Sequence, residues 1–260
     1  MKSIFLSLFC FLILSFNSFG QDNFKVIKVN GTIVLKAKGV SLETGTVFNE
    51  KEDLLFRTDD ANAAVINPQK GRLIITSKNH NLAQASSNYL PAMYNISTRG
   101  GSSEDPGNLQ EFFSGKFVVL DKQEIEINPA AYPMDKDHFF FFRYIYKGEE
   151  INKKLSYSGD TLIIDKTGLY TVDGQPIPSP DNTLIRLFYR KGTESIQLSE
   201  FNLIFPDTKQ LQEEVKVILD AIQDRSPSQK VAEVKNYITD QYGKIYRENL
   251  LSWLDKCFSL

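Results

Sequence analysis

The spacing of apolar residues changes near residue 207, and this change constrains the fold more than any other feature of the sequence. Before that point, short runs of β-branched and aromatic residues alternate with turn residues, which is typical of strands. After it, apolar residues recur at helical spacing. They include Leu211, Val215, Ile218 and Ile222. The sequence therefore predicts a mainly β fold with a C-terminal α-helical segment, residues 207–260.

The first residues, 1–20, predict a signal peptide. Lys2 provides a positive start, and the apolar run that follows is shorter than the ~20 residues that a membrane-spanning helix needs. Ser18 and Gly20 are the small residues that signal peptidase requires before a cut at Gln21. We therefore expect a periplasmic, secreted or cell-surface protein with no transmembrane span after cleavage; an uncleaved anchor is the alternative.

Cysteine usage and charge limit the classes of protein further. Cleavage would leave Cys257 as the sole cysteine, so no internal disulfide is expected and stability must come from the core. Thirty basic and 32 acidic side chains give a formal net charge of −2. Because non-specific nucleic-acid binding relies on a surplus of positive charge, no nucleic-acid partner is expected.

Residues 22–80 contain closely spaced short strands and predict a small β-domain. Asn30-Gly31 predicts a tight hairpin turn between strands at 24–29 and 32–36. The motifs of this region are Val29-Asn30-Gly31, Leu42-Glu43-Thr44-Gly45-Thr46-Val47, Leu54, Arg57-Thr58, Ala63-Ala64-Val65 and Gly71. Their succession resembles the FecR-type β-domain of periplasmic and secreted bacterial proteins. The resemblance covers only the N-terminal part of the chain and implies a sensory or structural module rather than a reaction.

The next two segments differ in composition. Residues 81–114 are rich in Ser, Asn, Gly and Pro, which predicts a flexible linker or long loop, with a lid or binding loop as the alternative. Residues 115–206 return to strands separated by turns and predict a β-sandwich-like domain. Within it, the run from Phe139 to Tyr146 has too few polar residues for a strand with one wet face. We expect that strand to be central and covered on both faces.

No set of residues assembles a catalytic, cofactor-binding or metal-binding motif. The chain has two histidines, His80 and His138, and lacks the clustered ligands of a zinc site. Glu149-Glu150 and Glu213-Glu214 are adjacent carboxylates, but neighbouring side chains diverge on both strands and helices. We therefore expect no enzyme activity and no cofactor.

Two weaker signals concern modification and binding. Asp160-Thr161-Leu162 is similar to the acceptor for O-glycosylation of exported Bacteroidota proteins, which makes Thr161 a candidate modification site. Leu250, Trp253 and Leu254 lie within one helical turn and can form one apolar patch. That patch either packs on the rest of the protein or forms a partner surface.

These features favour a non-enzymatic exported cell-envelope protein. It would act as a binding or structural module, or as an accessory subunit of a larger envelope assembly, and its partner would be an envelope protein or a glycan. One alternative is a periplasmic sensory or regulatory component. The other is a carboxylate-dependent glycan hydrolase, which would need a cleft lined by two acids.

Overall fold

The computed structural model describes residues 22–79, 106–172, 174–178, 180 and 183–260. The predicted signal peptide, His80 and residues 81–105 of the predicted linker lie outside these ranges. The described chain is mainly β with a C-terminal helical segment, so the predicted fold class is confirmed.

The N-terminal unit is made of two small antiparallel sheets. Its strands are β1 (Asn23–Asn30), β2 (Ile33–Leu35), β3 (Val40–Ser41), β4 (Val47–Asn49), β5 (Leu54–Phe56), β6 (Asn62–Asn67) and β7 (Gly71–Thr76). One sheet has the order β4-β1-β6-β7 and the other β3-β2-β5. Alternate residues of both sheets build one apolar core. Its members include Phe24, Val26, Ile33, Leu35, Val65 and Leu73.

The predicted hairpin at Asn30-Gly31 is wrong. Strands β1 and β2 do not pair; the chain leaves one sheet and enters the other at this point. Gly31 has φ +72°, and a Cβ there would lie 2.3 Å from the Thr58 hydroxyl oxygen. That oxygen accepts a hydrogen bond from the Thr32 N–H. The glycine is therefore required by a tight corner between sheets rather than by a two-residue hairpin turn.

The second unit is a β-sandwich of a six-stranded and a three-stranded sheet. Its elements are α1 (Leu109–Phe112), β8 (Lys116–Val118), β9 (Lys122–Glu126), β10 (His138–Tyr146), β11 (Glu149–Lys154), β12 (Ser156–Ser158), β13 (Thr161–Asp165), α2 (Lys166–Leu169), β14 (Thr171–Val172), β15 (Gln175–Pro176), β16 (Leu184–Lys191) and β17 (Glu194–Ile204). The larger sheet has the order β11-β10-β16-β17-β8-β18, where β18 is Lys244–Ile245; the smaller has the order β12-β13-β9. Side chains from both sheets meet in one aromatic-rich core. They include Phe140, Phe142, Leu162, Ile164, Leu187 and Phe201.

The sandwich begins earlier than the sequence predicts. Leu109, Phe112 and Phe113 are buried in its core, although they fall in the segment 81–114 predicted as a linker. Asn108 caps the short helix α1 by accepting a hydrogen bond from the Glu111 N–H. The polar residues before Leu109 predicted a linker, but the short apolar segment that follows them belongs to the core.

The C-terminal helices form a layer between the two β units. They are α3 (Thr208–Ala221), α4 (Pro227–Gln241) and α5 (Arg247–Phe258). Asp207 caps α3, and Ser226 caps α4 in a capping box with Pro227 at the first helical position. No helix among the described residues has the length and apolar character needed to span a membrane.

The helical layer contacts both neighbours through one apolar cluster. On one side this cluster includes Ile27, Ala64 and Ile66 of the N-terminal sheet; on the other it includes residues of β8 and Ile245 of β18. Strand β8 and its extension serve two cores, since Phe117 and Val119 face the sandwich while Val118 and Leu120 face the helices. Gly243 permits the close approach of β18 to β8, because a Cβ there would lie 2.5 Å from the Lys116 carbonyl oxygen.

We expect Trp253→Ala to lower the free energy of unfolding by about 3 to 5 kcal/mol, because it opens a cavity in the helical layer. Trp253 is 2% exposed and packs edge-on against Phe258, with ring centroids 5.7 Å apart. Denaturant unfolding measures the loss. Trp253→Phe is the matched control and should cost less, because it keeps an aromatic ring and removes an N–H that has no acceptor among the described residues. Unchanged stability of the alanine variant would contradict this packing.

Candidate binding face

The outer surface of the six-stranded sheet carries a set of aromatic and cationic side chains, which we call the cation–aromatic face. The helical layer packs on the β8 and β18 end of this sheet. The face lies at the other end, on β10, β11 and β16. It consists of Phe139, Phe141, Arg143, Lys154, Arg186 and Phe188.

Strand alternation and register place these side chains together. In β10, Phe140 and Phe142 enter the sandwich core, so Phe141 points to the opposite face. Phe141 lies opposite Phe188 of β16 and opposite Lys154 of β11. The two phenyl rings stack with centroids 5.0 Å apart and an interplanar angle of 10°. Cross-strand aromatic pairs of this kind stabilise a sheet.

The cationic side chains cover the rings. The Arg143 guanidinium lies 4.6 Å from the centroid of Phe188, and the Lys154 ammonium lies 4.1 Å from that of Phe139. Phe141 and Phe188 are only 7% and 8% exposed, although they stand on the outer side of the sheet. Strand β10 is interior to its sheet, as expected, but its second face is covered by cations and rings of β10, β11 and β16. The surface therefore presents charge and not an apolar patch.

Arg143 and Arg186 lie directly opposite each other on neighbouring strands. Like charges in this position repel, so the pair needs compensation. Glu150 supplies it: its two carboxylate oxygens lie 3.3 Å from Nη1 of Arg186 and 3.6 Å from Nη1 of Arg143. Arg186 also donates from Nε to Glu200, and Arg143 donates from Nε to Asn152, at 3.0 and 2.8 Å. The result is a polar network across four strands.

A cleft of about 360 Å³ lies between the turn after β8 and helix α5. Its walls include Asp121, Glu124 and Glu248 together with Trp253. Two of the carboxylates are paired, since Lys256 donates to Asp121 at 2.7 Å and Lys122 donates to Glu124 at 2.5 Å. The Asp121 carboxylate raises the pKa of Lys256 above its usual range by accepting this hydrogen bond. A second cleft of about 400 Å³ lies on the other side of the same turn, near the start of α3.

The predicted partner surface is not exposed. Leu250 and Leu254 are fully buried and Trp253 is 2% exposed, all three within the apolar cluster of the helical layer. The patch packs against the β8 segment, which provides the apolar side chains Val118 and Leu120. The alternative of a docking surface is therefore wrong for these residues.

The remaining predicted residues lie apart from one another. Thr161 is half-buried at the start of β13, next to the turn at Gly159, and its modification stays a prediction. His138 contacts Asp135 through Nδ1 at 2.9 Å, and Asp135 also accepts the backbone N–H groups of residues 137 and 138. These hydrogen bonds, first of all that from His138, lower the pKa of Asp135. Within the described ranges, no three His, Cys, Asp or Glu side chains are grouped so that they could hold a metal ion.

Sequence reasoning missed a buried ionic network between the N-terminal unit and the helices. Arg72 of β7 is 2% exposed and donates to Glu233 of α4 at 2.8 Å and to Asp240 at 2.9 Å. Its guanidinium also lies 5.6 Å from the ring centroid of Tyr237. Burial raises the pKa of Glu233, and the Arg72 charge opposes this shift. In β7, Arg72 is followed by the apolar residues Leu73, Ile74 and Ile75. A charged residue in such a strand was the sign in the sequence of a buried ion pair.

Glu214 of α3 forms the second half of this network. It is fully buried and accepts hydrogen bonds from the hydroxyls of Tyr237 and Tyr242 at 2.8 and 2.6 Å. The Lys28 ammonium of β1 lies 3.7 Å from the carboxylate and 3.9 Å from the Tyr242 ring centroid. Burial, followed by the neighbouring Glu214 carboxylate, raises the pKa of both tyrosines well above the usual range. Glu214 lies three residues after Leu211 and therefore on the apolar side of α3. This position was the sign in the sequence that Glu214 is buried.

Comparison with known proteins adds no family. Neither a protein-family model, nor a curated protein, nor a solved structure matches this chain. The resemblance of residues 22–80 to the FecR-type β-domain therefore stays a prediction based on turn glycines and apolar positions.

We expect Arg72→Leu to destabilise the protein by about 3 to 5 kcal/mol, because it leaves the Glu233 carboxylate buried without its partner. Adding Glu233→Leu should recover most of this loss, since the double variant buries no unpaired charge. Denaturant unfolding of both variants and of each single change measures the coupling. Asp240→Asn is the control; the Asp240 side chain is 39% exposed and the amide keeps an oxygen that can accept from Arg72, so this change should cost less than Arg72→Leu. If the double variant loses as much free energy of unfolding as the two single variants together, the network is contradicted.

The buried tyrosines predict a loss of stability in alkali. Their folded-state pKa values lie above the ordinary value of 10.0, so the unfolded chain releases these protons first as pH rises. Stability should be constant up to about pH 9 and then fall by about 1.4 kcal/mol per pH unit for each buried tyrosine. Unfolding at fixed pH values, with absorbance of tyrosinate at 295 nm, measures this. Tyr170→Phe should reduce the slope of unfolding free energy against pH by the contribution of one tyrosine. An unchanged slope would contradict burial of Tyr170.

Proposed function

We propose that this protein is a non-enzymatic, exported module of the bacterial cell envelope that binds its partner through the cation–aromatic face. The partner would be an envelope protein or a glycan, and the protein would serve as a structural or accessory subunit of a larger assembly. The observation that carries the proposal is the pair Arg143 and Arg186, which is partly exposed on rigid interior strands.

Rigidity of the support favours this surface over the loops. Residues of β10 and β16 are fixed by ladders on both sides and by the core behind them, so the face needs little ordering when a partner binds. The side chains lie in contact with rings and with one another, which restricts their rotamers. Arginine and aromatic residues are also the types enriched where interfaces gain most of their affinity.

Export supports the same proposal from the sequence. Residues 1–20 have the features of a signal peptide, and the N-terminal unit resembles a module of periplasmic and secreted proteins. A sensory or regulatory role would be consistent with that resemblance, and it would use the same face to contact a membrane-bound partner.

A glycan hydrolase is the second candidate, because Asp121, Glu124 and Glu248 line one cleft. The ion pairs of Asp121 with Lys256 and of Glu124 with Lys122 oppose it, because two of the three carboxylates are already engaged by lysines of the protein. A glycoside hydrolase needs two carboxyl groups that are free to act on the sugar. The geometry therefore favours binding over hydrolysis.

Cross-linked capture from envelope fractions tests the proposal. Wild-type protein and the variant Lys209→Gln/Lys216→Gln, which removes two exposed cations of α3, should recover the same partner. Arg143→Gln/Arg186→Gln removes the same charge from the face and should lose that partner. Equal recovery by both double variants would show that the face is not the binding surface, and turnover of envelope glycans that depends on Glu248 would favour the hydrolase.

A further inference from the structure

The cation–aromatic face and its surroundings form a local positive surface on a chain whose formal net charge is −2. Arg143, Lys154 and Arg186 belong to the face, and Arg190 lies on the same side of β16, opposite Phe139. Only two carboxylates are part of the network described above, those of Glu150 and Glu200. An anionic ligand would therefore be attracted to this side of the molecule.

Glu150 shows what kind of group fits between the two guanidiniums. Each of its carboxylate oxygens contacts a different arginine, so one carboxylate bridges the pair. Its side chain is 49% exposed and extends from β11, the edge strand of the sheet. Exposed ion pairs contribute little free energy. A carboxylate from a ligand could replace this one at small cost, because the glutamate need only turn towards water.

The two guanidiniums are held ready for such a ligand. Arg143 rests on the Phe188 ring and donates from Nε to Asn152, and Arg186 is fixed by Glu200. These contacts use Nε and leave the outer nitrogens of each fork for a bridging anion. An arginine fixed in this way loses less side-chain entropy on binding than a free lysine.

The open shape of the face and its polar surroundings suit a polysaccharide. The arginine pair lies on interior strands and the rings beneath it are almost fully covered, so a peptide can neither add a strand here nor lie as a helix in an apolar groove. Arginine clusters also bind acidic peptides, so polyglutamate is one arm of the test below. It does offer exposed amide and hydroxyl groups in the neighbouring rows, from Asn152, Ser195 and Gln197, which can bond sugar hydroxyls.

We infer that the Arg143–Arg186 pair binds the carboxylates of an acidic polysaccharide, and that Glu150 occupies this position in the free protein. The inference rests on the proposed function and names its ligand class. Glu150 then acts as an internal competitor, so removing its charge should strengthen binding. A purely structural ladder would show no such gain.

Alginate oligosaccharides, which carry a carboxylate on each sugar, are the probe, with neutral dextran oligosaccharides as the control ligand. Calorimetric titration of the full chain at low ionic strength should detect alginate and not dextran. Arg143→Gln or Arg186→Gln should weaken alginate binding by about tenfold or more, since each removes a charged hydrogen-bond donor. Lys209→Gln on α3 makes the same charge change away from the face and should leave affinity unchanged.

Glu150→Gln provides the sharpest comparison. It should strengthen alginate binding by about two- to fivefold, the range that corresponds to an exposed ion pair. Glu213→Gln, the same change on the exposed side of α3, should have no effect. Because all these side chains are at least partly exposed, melting curves should show that each variant remains folded.

Several results would overturn the inference. These are failure of the wild type to bind alginate, binding that Arg143→Gln leaves intact, weaker binding by Glu150→Gln, or stronger binding of polyglutamate or single-stranded DNA than of alginate. If alginate fails while capture of an envelope partner still depends on Arg143 and Arg186, the proposed function stands and its partner is not a carboxylated polysaccharide. If capture is also independent of both arginines, the proposed function fails as well.

Discussion

Two buried carboxylates fix the N-terminal unit on the helical layer. Glu233 pairs with Arg72 of β7, and Glu214 accepts hydrogen bonds from two tyrosines beside Lys28 of β1. A buried ion pair adds little net stability, but loss of either partner leaves a charge that the interior cannot solvate. Apolar contacts alone would let the N-terminal sheet slide over the helices; these directional bonds fix its position. The helical layer can therefore support β units on both sides.

Strand β8 carries that arrangement into the sandwich. Its alternating side chains give Phe117 to the sandwich core and Val118 to the helical layer, so this strand contributes to both cores. The helices pack on this end of the six-stranded sheet and not on β10 and β16. The cation–aromatic face is thus a consequence of where the helical layer ends. Its arginines stay accessible because the helices cover only the β8 and β18 end of the sheet's outer surface.

Local features of the sequence predicted the fold class, while pairings between distant residues decided the rest. The caps at Asp207 and Ser226 and the apolar period after them are local, so the helices were predictable. The Asn30-Gly31 dipeptide was misleading because the chain at this point packs against Thr58, a contact between residues far apart in the sequence. Likewise, Arg72 and Glu233 form an ion pair although they lie 161 positions apart in the sequence. Arg143 and Arg186 lie opposite each other because of the register between β10 and β16. Apolar pattern alone does not specify such contacts.

The charges on the outer sheet serve two separate purposes. Strand β11 is an edge, and its run Glu149-Glu150-Ile151-Asn152-Lys153-Lys154 has the charged composition that prevents edge-to-edge association. Protection of an edge explains β11, but Arg143 and Arg186 stand on interior strands that have no free edge. Directly opposed arginines also weaken a sheet unless an anion bridges them. Solubility could be met by neutral polar residues without that repulsion. Glu150 bridges the pair in the free protein, so the sheet tolerates it, and under our inference a carboxylate of the ligand takes that place.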